Sequence, residues 1–280
     1  MNISSNFPRI IWIMWWQGFE KAPRIVQQCI RSWRKNNPDW ELVFLDQESV
    51  NNYLTLDYIT NLNENMMPLQ ALSDVIRINL LAKYGGVWVD ATCFCCKPLN
   101  EWLDRYIKSG FFAFSNPGPG RLIASWFLAA ENGSYIICQL ADSVNKYWSI
   151  NVLTPANKIV AKNINRIISY DYRVTPVWFS WFFFRYLKVY PYFWLHYKFN
   201  QAFCKNRVFR ENWNSSEKYH AGGPLILKRL RKIHDNDSLE SFFNEIDRIE
   251  VPVYKLNWRL ESFGSNKDFV LERLFSVHND

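Results

Sequence analysis

The sequence predicts an α/β protein in which a mostly parallel central sheet is flanked by helices. Runs of β-branched and aromatic residues alternate with helical patterns in the first half of the chain, as is typical of parallel strands joined by helical crossovers. One helical pattern, residues 69–84, ends at Gly85-Gly86 and passes directly into another apolar run. With 280 residues, 49% of them hydrophobic and 21% charged, the chain has a globular composition and can bury a sizeable core.

Each element follows from a local pattern and its boundaries. A β-branched and aromatic run between Pro8 and Gly18 predicts a buried first strand. The helix at 69–84 has the clearest pattern, because apolar residues recur along one face of it from Leu69 to Leu80. In chain order, the predicted elements are a strand at 8–16, a helix at 22–38, a strand at 40–46, a short helix at 47–54, the helix at 69–84, strands at 87–91, 111–115 and 122–130, and a helix at 134–148.

The charge and the cysteines restrict the class of partner and the compartment. A net charge of +7 favours anionic partners. The basic residues are spread along the chain without a basic stripe or a recognised motif, so we predict no nucleic-acid partner. The six cysteines show no metal-site spacing, and three of them crowd into Cys93–Cys96, which predicts reduced, packed thiols and a cytoplasmic protein. The apolar run after Arg9 is too short for a signal peptide.

Residues 176–204 are the most aromatic part of the chain. Charged residues and a proline interrupt every long apolar run there, which argues against a membrane-spanning helix. Two interpretations remain open from the sequence. The segment is either a helical hairpin packed on the sheet, or a surface whose aromatic and basic side chains contact a membrane interface.

Polar residues that could carry chemistry cluster around the helix at 69–84 and the strand after it. Ser73, Asp74 and Arg77 lie within one helical turn, where the alternative is an exposed ion pair worth about 0.3–0.5 kcal/mol. Strand alternation places Asp90 on the same side as its neighbours Trp88 and Thr92. A carboxylate at the carboxyl end of a parallel strand can hold a divalent cation that screens a diphosphate, although a turn-forming aspartate is the alternative.

Other sequence signals for a site are weak. The chain has no phosphate-binding loop with the G-x-x-x-x-G-K-[ST] pattern, no G-x-S-x-G elbow and no H-E-x-x-H helix. Of the four histidines, only His220, in front of Gly-Gly-Pro, has the context of a site. It is either a ligand of a metal or diphosphate, or an ordinary turn residue.

The stretch ALSDVIRINLLAKYGGVWVDATCF at 71–94 carries a family resemblance, together with PRIIWIMWWQG at 8–18 and SWRKNNPDWE at 32–41. These residues resemble bacterial capsular polysaccharide synthesis proteins, which are relatives of the DXD-containing family 32 glycosyltransferases and, more distantly, of the large clostridial glucosylating toxins. The similarity covers residues 8–130, with an echo in VPVYKLNWR at 251–259. Its most specific part is the helical S-D-x-x-R followed by G-G-x-W-x-D.

The resemblance implies a GT-A fold and a retaining, metal-assisted glycosyltransferase. Together with the residue patterns, it divides the chain into a nucleotide-sugar-binding core at 1–170, an aromatic-rich helical segment at 171–215, for which the membrane-interface interpretation stays open, and a C-terminal part at 216–280 that completes the donor site. The expected donor is a UDP-sugar, and the expected cofactor is Mn²⁺ or Mg²⁺. The expected acceptor is a growing capsular or O-antigen polysaccharide on a lipid-linked oligosaccharide, reached from the cytoplasmic face of the membrane. No particular oligomeric state is implied.

The resemblance also implies roles for single residues. Trp15 would stack on the nucleobase in a pocket lined by its neighbours, Asp74 would contact the ribose or base, and Arg77 the sugar or phosphate. Lys255, in a C-terminal Lys-Leu motif, would neutralise the leaving diphosphate. The implied donor-binding residues are Met14, Trp15, Trp16, Ser73, Asp74, Arg77, Trp88, Ser125 and Trp126; the catalytic residues are Asp90, Arg77 and Lys255; the metal ligands are Asp90, Thr92 and His220.

The chain departs from the family pattern at one position. The pattern is D-x-D, whereas this chain has Asp90-Ala91-Thr92, and a hydroxyl is a weaker cation ligand than a carboxylate. A water molecule or the diphosphate would then fill the missing position. The alternative is a non-catalytic, membrane-associated module of a polysaccharide assembly complex, which lost turnover together with the second aspartate.

Overall fold

The computed structural model describes residues 7–55, 67–149, 154–155, 164, 167–233 and 236–258. Parts of the predicted 1–170 core and residues 259–280 of the predicted C-terminal part lie outside these residues. The strands are β1 (Ile10–Met14), β2 (Glu41–Leu45), β3 (Gly86–Asp90), β4 (Cys93–Cys95), β5 (Phe111–Gly118), β6 (Arg121–Ala130), β7 (Thr154–Pro155), β8 (Val189–Tyr190) and β9 (Val253–Lys255).

Seven α-helices lie within the described part of the chain. They are α1 (Arg24–Asn36), α2 (Leu69–Tyr84), α3 (Leu99–Tyr106), α4 (Tyr135–Ser149), α5 (Trp194–Lys205), α6 (Arg207–Ser215) and α7 (Asn236–Ile246). Short 3₁₀ turns occupy Phe19–Lys21, Ser49–Asn52, Thr175–Phe179 and Ile226–Lys232, and Phe182–Tyr186 forms a single π-helical turn.

The central sheet has five strands in the order β2-β1-β3-β6-β5. β1 pairs in parallel with β2 and β3, whereas β6 is antiparallel to both β3 and β5. Four strands therefore run in one direction and β6 runs in the other. The predicted α/β class, with a mostly parallel sheet flanked by helices, is confirmed.

The two glycines between α2 and β3 allow β3 to lie close beside β1. Gly85 and Gly86 adopt positive φ angles of 68° and 91°, which side chains other than glycine rarely tolerate. A Cβ atom on Gly86 would also lie 2.5 Å from the carbonyl oxygen of Ile10. This close approach sets the register that pairs Met14 with Asp90, so both strands end at the same edge of the sheet.

Buried clusters cover both faces of the sheet. Val87 and Val89 pack in the cluster that includes α1, whereas Trp88 packs in the cluster that includes α2, α4 and α5. The predicted alternation along β3 is therefore present. The buried thiols of Cys29, Cys93 and Cys95 pack as small side chains in the first cluster.

The C-terminal part of the chain returns to the end of β3 through β9. β9 pairs antiparallel with β4, and the register places Lys255 opposite Cys93. The backbone N–H of Leu256 also donates to the carbonyl of Thr92 at 2.8 Å. This pairing holds the Lys255 side chain beside Asp90 and Thr92.

The aromatic segment has both buried and exposed side chains. Trp178, Trp194 and Phe199 are fully buried, and α5 packs against β6 and α4. A second set of aromatic side chains is more than half exposed and comprises Trp181, Tyr186 and Tyr192, while Phe182 is 50% exposed. Among the helices of the described residues, none is long and apolar enough to cross a bilayer.

Candidate active site

Asp90 is the centre of a charged network at the carboxyl end of β3. Its Oδ2 accepts a hydrogen bond from Lys255 Nζ at 3.0 Å, and its Oδ1 lies 3.3 Å from the Arg77 guanidinium. The indole N–H of Trp88 donates to the same Oδ1 at 3.2 Å. Burial acts to raise the pKa of Asp90, but the charges of Lys255 and Arg77 outweigh that effect and lower it to about 2. The carboxylate is therefore ionised at neutral pH.

Lys255 bridges both oxygen-bearing residues of the Asp90-Ala91-Thr92 motif. Its ammonium group donates to Thr92 Oγ1 at 2.6 Å as well as to Asp90. Burial acts to lower the pKa of Lys255, yet the adjacent Asp90 raises it above the ordinary value. A permanent positive charge thus lies between the first and third residues of the motif.

Hydrogen bonds fix Arg77 in one orientation. Its Nε donates to the Ser73 carbonyl at 3.1 Å, and one terminal nitrogen donates to Ser73 Oγ at 2.8 Å. The other terminal nitrogen donates to the Ser125 carbonyl at 2.5 Å, and the guanidinium lies 5.1 Å from the Trp88 ring centroid. The helix α2, the strand β6 and the buried ring of Trp88 therefore position this cation before any ligand arrives.

Asp74 is a second carboxylate that shares Arg77 with Asp90. Its Oδ1 lies 3.4 Å from Arg77 Nε, and its side chain is only 12% exposed. Burial raises the pKa of Asp74 to about 7; Arg77 opposes this shift and the negative charge of Asp90 adds to it. The two carboxylates consequently have pKa values on opposite sides of their ordinary range, which is typical of a functional site.

The comparisons with known proteins assign the chain to a family. Residues 2–156 match the family described as capsular polysaccharide synthesis protein. The chain belongs to this family. The family predicted from residues 71–94 is therefore confirmed.

Two relatives of the chain are named as glycosyltransferases. The O-glycosyltransferase braB of Annulohypoxylon truncatum is 29% identical over 157 residues, which cover 49% of this chain and 37% of that protein. The glycosyltransferase afumC of Aspergillus fumigatus is 27% identical over 165 residues, covering 52% of this chain and 40% of that protein. The matched part spans about two fifths of these relatives. Among solved structures, the PaToxG glycosyltransferase is similar with a TM-score of 0.40 and 15% identity, over 74% of this chain and 84% of that one.

The residues predicted to form the nucleobase pocket of this capsular family member follow β1 but do not share one face of the sheet. Trp15 packs against the cluster that includes α1, whereas Met14 and Trp16 pack against the cluster that includes α2. Met14 is the register partner of Asp90, and Trp15 and Trp16 follow directly at the same edge of the sheet. The backbone N–H of Trp15 donates to the Leu45 carbonyl at 3.0 Å. Its buried indole N–H has no hydrogen-bond partner within the described ranges, so it is available to a ligand.

Two predicted site residues, Trp88 and Trp126, have other surroundings. Trp88 is 1% exposed and contacts Asp90 and Arg77, so within the described structure it holds these side chains in place. Trp126 is 7% exposed and stacks on Phe114 with centroids 4.9 Å apart.

His220 lies in the turn that its sequence context allowed as the alternative. Its Nδ1 accepts a hydrogen bond from the Gly222 N–H at 3.0 Å. No group of three or more His, Cys, Asp or Glu residues that could hold a metal ion occurs in the part of the chain that the structure describes.

Two further polar residues near the site were missed by the sequence reasoning. Arg121 begins β6, the strand that provides the Ser125 carbonyl, and His196 lies in α5. Neither belongs to a recognisable motif. The one sequence signal concerns His196 alone: residues 172–210, around it, contain seven lysines and arginines and no aspartate or glutamate. A stretch of this composition carries a net positive charge, which favours an anionic ligand.

Proposed function

We propose that the chain is a retaining glycosyltransferase that uses a nucleoside-diphosphate sugar. The observation that carries the proposal is the position of Asp90 between Lys255 and Arg77, at 3.0 Å and 3.3 Å, in a member of the capsular family. Ligands of open α/β sheets bind at the carboxyl ends of the parallel strands, where this network lies. Two buried cations at that edge fit an anionic leaving group.

The network fits the charge that develops during glycosyl transfer. As the bond between the anomeric carbon and the diphosphate oxygen breaks, negative charge builds on the diphosphate. Lys255 and Arg77 are already oriented, so their positive charges stabilise the leaving group without reorganisation. The acceptor hydroxyl forms the new bond from the same face, and its proton passes to the departing phosphate. This mechanism requires no protein base and retains the anomeric configuration.

Mn²⁺ or Mg²⁺ is the proposed cofactor, and the oxygen ligands at the motif fit such an ion. Magnesium is commonly held by one or two carboxylates together with substrate phosphates and water. Asp90 would provide the carboxylate and Thr92 a hydroxyl oxygen, and the bound ion would neutralise charge on the diphosphate. Because Lys255 already donates to both oxygens, its ammonium group competes with the ion until a phosphate binds it instead.

A UDP-sugar is the proposed donor. The indole ring of Trp15 would stack on the nucleobase, and its buried N–H, which has no partner within the described residues, would donate to it. Asp74 would contact the ribose or base from α2. Ser73 and Ser125, which both bind Arg77, hold the cation on the phosphate side of the predicted pocket.

The proposed acceptor is a lipid-linked capsular or O-antigen oligosaccharide, reached by peripheral contact with the cytoplasmic face of the membrane. Trp181 and Tyr186 are 64% and 68% exposed, and Phe182 stacks on Tyr186 with centroids 5.8 Å apart. Arg185 is exposed on the same turn. Aromatic rings beside basic groups suit the interface of an anionic membrane.

The second candidate function is a non-catalytic module of a polysaccharide assembly complex. It is favoured by one observation: Lys255 donates to both Asp90 and Thr92, the two positions at which the family pattern has carboxylates. Such a module would bind nucleotide sugars without turning them over.

A donor-hydrolysis assay with Mn²⁺ tests these two functions, because a live glycosyltransferase hydrolyses some donor without acceptor. A thermal-shift screen of UDP-sugars identifies the donor first, since a ligand at a hundredfold excess over its dissociation constant stabilises the folded state by about 2.7 kcal/mol. We expect hydrolysis by the wild type and none by Asp90→Asn. Donor binding without hydrolysis would favour the module, and neither binding nor hydrolysis would refute both functions.

A further inference from the structure

Arg121 is a partly buried cation whose charge is not neutralised. Its guanidinium lies 4.1 Å from the centroid of the Phe193 ring, and one terminal nitrogen donates to the Pro117 carbonyl at 3.3 Å. Its Nε is buried without a hydrogen-bond partner, and no described carboxylate forms an ion pair with Arg121. A buried guanidinium in this state is costly unless a ligand completes it.

His196 continues the same stack of side chains. Its imidazole packs edge-on against Phe193 with centroids 5.3 Å apart, and the residue is 7% exposed. Its Nδ1 is buried and has no partner within the described structure. Arg121, Phe193 and His196 therefore form a row in which two polar groups lack the hydrogen bonds that buried groups normally make.

The row is held in place by the hairpin between β5 and β6. Asn200, which is fully buried in α5, donates to the Gly120 carbonyl at 2.7 Å and to Thr175 Oγ1 at 2.8 Å. A Cβ atom on Gly118 would overlap the Arg121 guanidinium. The hairpin is thus anchored to the aromatic segment, and its glycine leaves room for the arginine.

The row also lies close to Asp90. Burial, together with the positive charges of Arg121 and Arg77, lowers the pKa of His196 to about 3, although the charge of Asp90 opposes the shift. His196 is therefore near enough to Arg121, Arg77 and Asp90 for their charges to act on it. The β6 strand connects the same groups through the backbone, because Arg121 begins it and its Ser125 carbonyl binds Arg77.

We propose that Arg121, Phe193 and His196 form an oxyanion subsite, linked to the Asp90 network through β6, that binds a phosphate group of a substrate. A guanidinium binds phosphate oxygens through charge-assisted hydrogen bonds, and a neutral imidazole adds one further donor. The phosphate belongs either to the nucleotide donor or to the diphosphate of a lipid-linked acceptor. Only the assignment to donor or acceptor rests on the proposed glycosyltransferase function.

Calorimetric titration with inorganic pyrophosphate, UDP and farnesyl diphosphate tests the subsite in the full chain without metal. Farnesyl diphosphate serves as a short polyprenyl diphosphate. Because Lys255 and Arg77 also attract pyrophosphate, the titrations are repeated in the Lys255→Met background, where the difference between Arg121 and Arg121→Gln reports on Arg121. In both backgrounds we expect Arg121→Gln to weaken pyrophosphate binding at least about tenfold and Arg121→Lys to restore part of it. The exposed Arg34→Gln on α1 removes the same charge elsewhere and should leave each dissociation constant within about twofold.

The three ligands separate the outcomes. A matching loss for UDP assigns the phosphate to the donor, and a loss for farnesyl diphosphate with unchanged UDP binding assigns it to the acceptor. Unchanged affinities for all three ligands in Arg121→Gln, with a native circular dichroism spectrum, would overturn the subsite. If Arg121→Gln is unfolded, the three titrations are made with Arg121→Lys, which should bind pyrophosphate more weakly than the wild type. Wild-type affinities for all three ligands in Arg121→Lys would then overturn the subsite. Since pyrophosphate binding requires no sugar transfer, an inactive protein that still shows the Arg121 effect would refute the glycosyltransferase function alone.

Discussion

Lys255 Nζ lies 3.0 Å from Asp90 Oδ2, although the two residues are 165 positions apart in the chain. The contact joins the C-terminal strand β9 to the end of β3 in the middle of the sheet. It places a protonated amine where the family motif would place a metal ion. Pairing of β9 with β4 therefore brings the positive charge of Lys255 into the site.

Replacing Lys255 with methionine keeps the length of the side chain and removes its charge. We expect donor hydrolysis to fall by about 10²–10³-fold, because a preorganised cation at the leaving group is lost. The matched control is Lys97→Met, whose ion pair with Glu250 at 2.6 Å is exposed. An exposed pair contributes about 0–1 kcal/mol, so the control should retain its activity. Hydrolysis at the wild-type rate in Lys255→Met would show that this lysine does not act on the leaving group.

Asp90→Asn tests the other member of the pair. The substitution preserves shape and removes the negative charge that orients Lys255 and Arg77. We expect loss of transfer with a native circular dichroism spectrum, because the sheet and its two buried clusters do not depend on this carboxylate. Asp39→Asn, at an exposed surface position, is the control and should behave as the wild type. Normal turnover with Asn at position 90 would contradict the catalytic role.

The site residues that lie close together in the sequence could be predicted from it. The helical spacing of Asp74 and Arg77, the glycine stop and the alternation in β3 all follow from short-range patterns, and each is present. The approach of Lys255 came only from the family resemblance, because pairing of β9 with β4 leaves no local periodicity. Arg121 and His196 were missed for the same reason, since their neighbours come from a hairpin and a distant helix.

Asp74 should make stability depend on pH. Burial raises its folded-state pKa to about 7, whereas an unfolded aspartate has a pKa of about 3.9. Between these values the folded state binds more protons than the unfolded state, so this group lowers stability as pH rises from about 4 to about 7. Asp74→Asn removes that loss, and we expect the free energy of unfolding of the variant to rise relative to wild type across this range, by at most about 4 kcal/mol. Urea unfolding between pH 4.5 and 7.5 measures the difference, and a constant difference would refute the raised pKa.

The exposed aromatic surface should bind anionic vesicles. We expect simultaneous substitution of Trp181, Phe182 and Tyr186 by serine to weaken vesicle binding roughly tenfold or more. Stability should change little, because these side chains are half exposed or more. Sedimentation with phosphatidylserine-containing vesicles measures the effect, and Val208→Ser, at a residue 49% exposed on α6, is the control. Vesicle binding equal to wild type in the triple variant would assign this surface to something other than a membrane.

Thr92 is the position at which the chain departs from the family motif, and Thr92→Asp restores the second carboxylate. Thr92 Oγ1 already lies 2.6 Å from Lys255 Nζ, so an added carboxylate would be neutralised by that lysine and the Asp90 pair would be retained. A second carboxylate also provides an oxygen ligand that Mn²⁺ binds more strongly than a hydroxyl. We therefore expect the thermal shift on adding Mn²⁺ with UDP to increase in Thr92→Asp.

Thr92→Asn separates the charge from the change in shape. It adds an oxygen of similar position without a negative charge, and it should leave the Mn²⁺-dependent shift close to that of the wild type. Because Thr92 is 7% exposed, both variants can lower stability, and each is compared with its own metal-free sample. An equal Mn²⁺ response in Thr92→Asp, Thr92→Asn and the wild type would mean that the ion is held by Asp90 and the diphosphate alone. Position 92 would then act only through its hydrogen bond to Lys255.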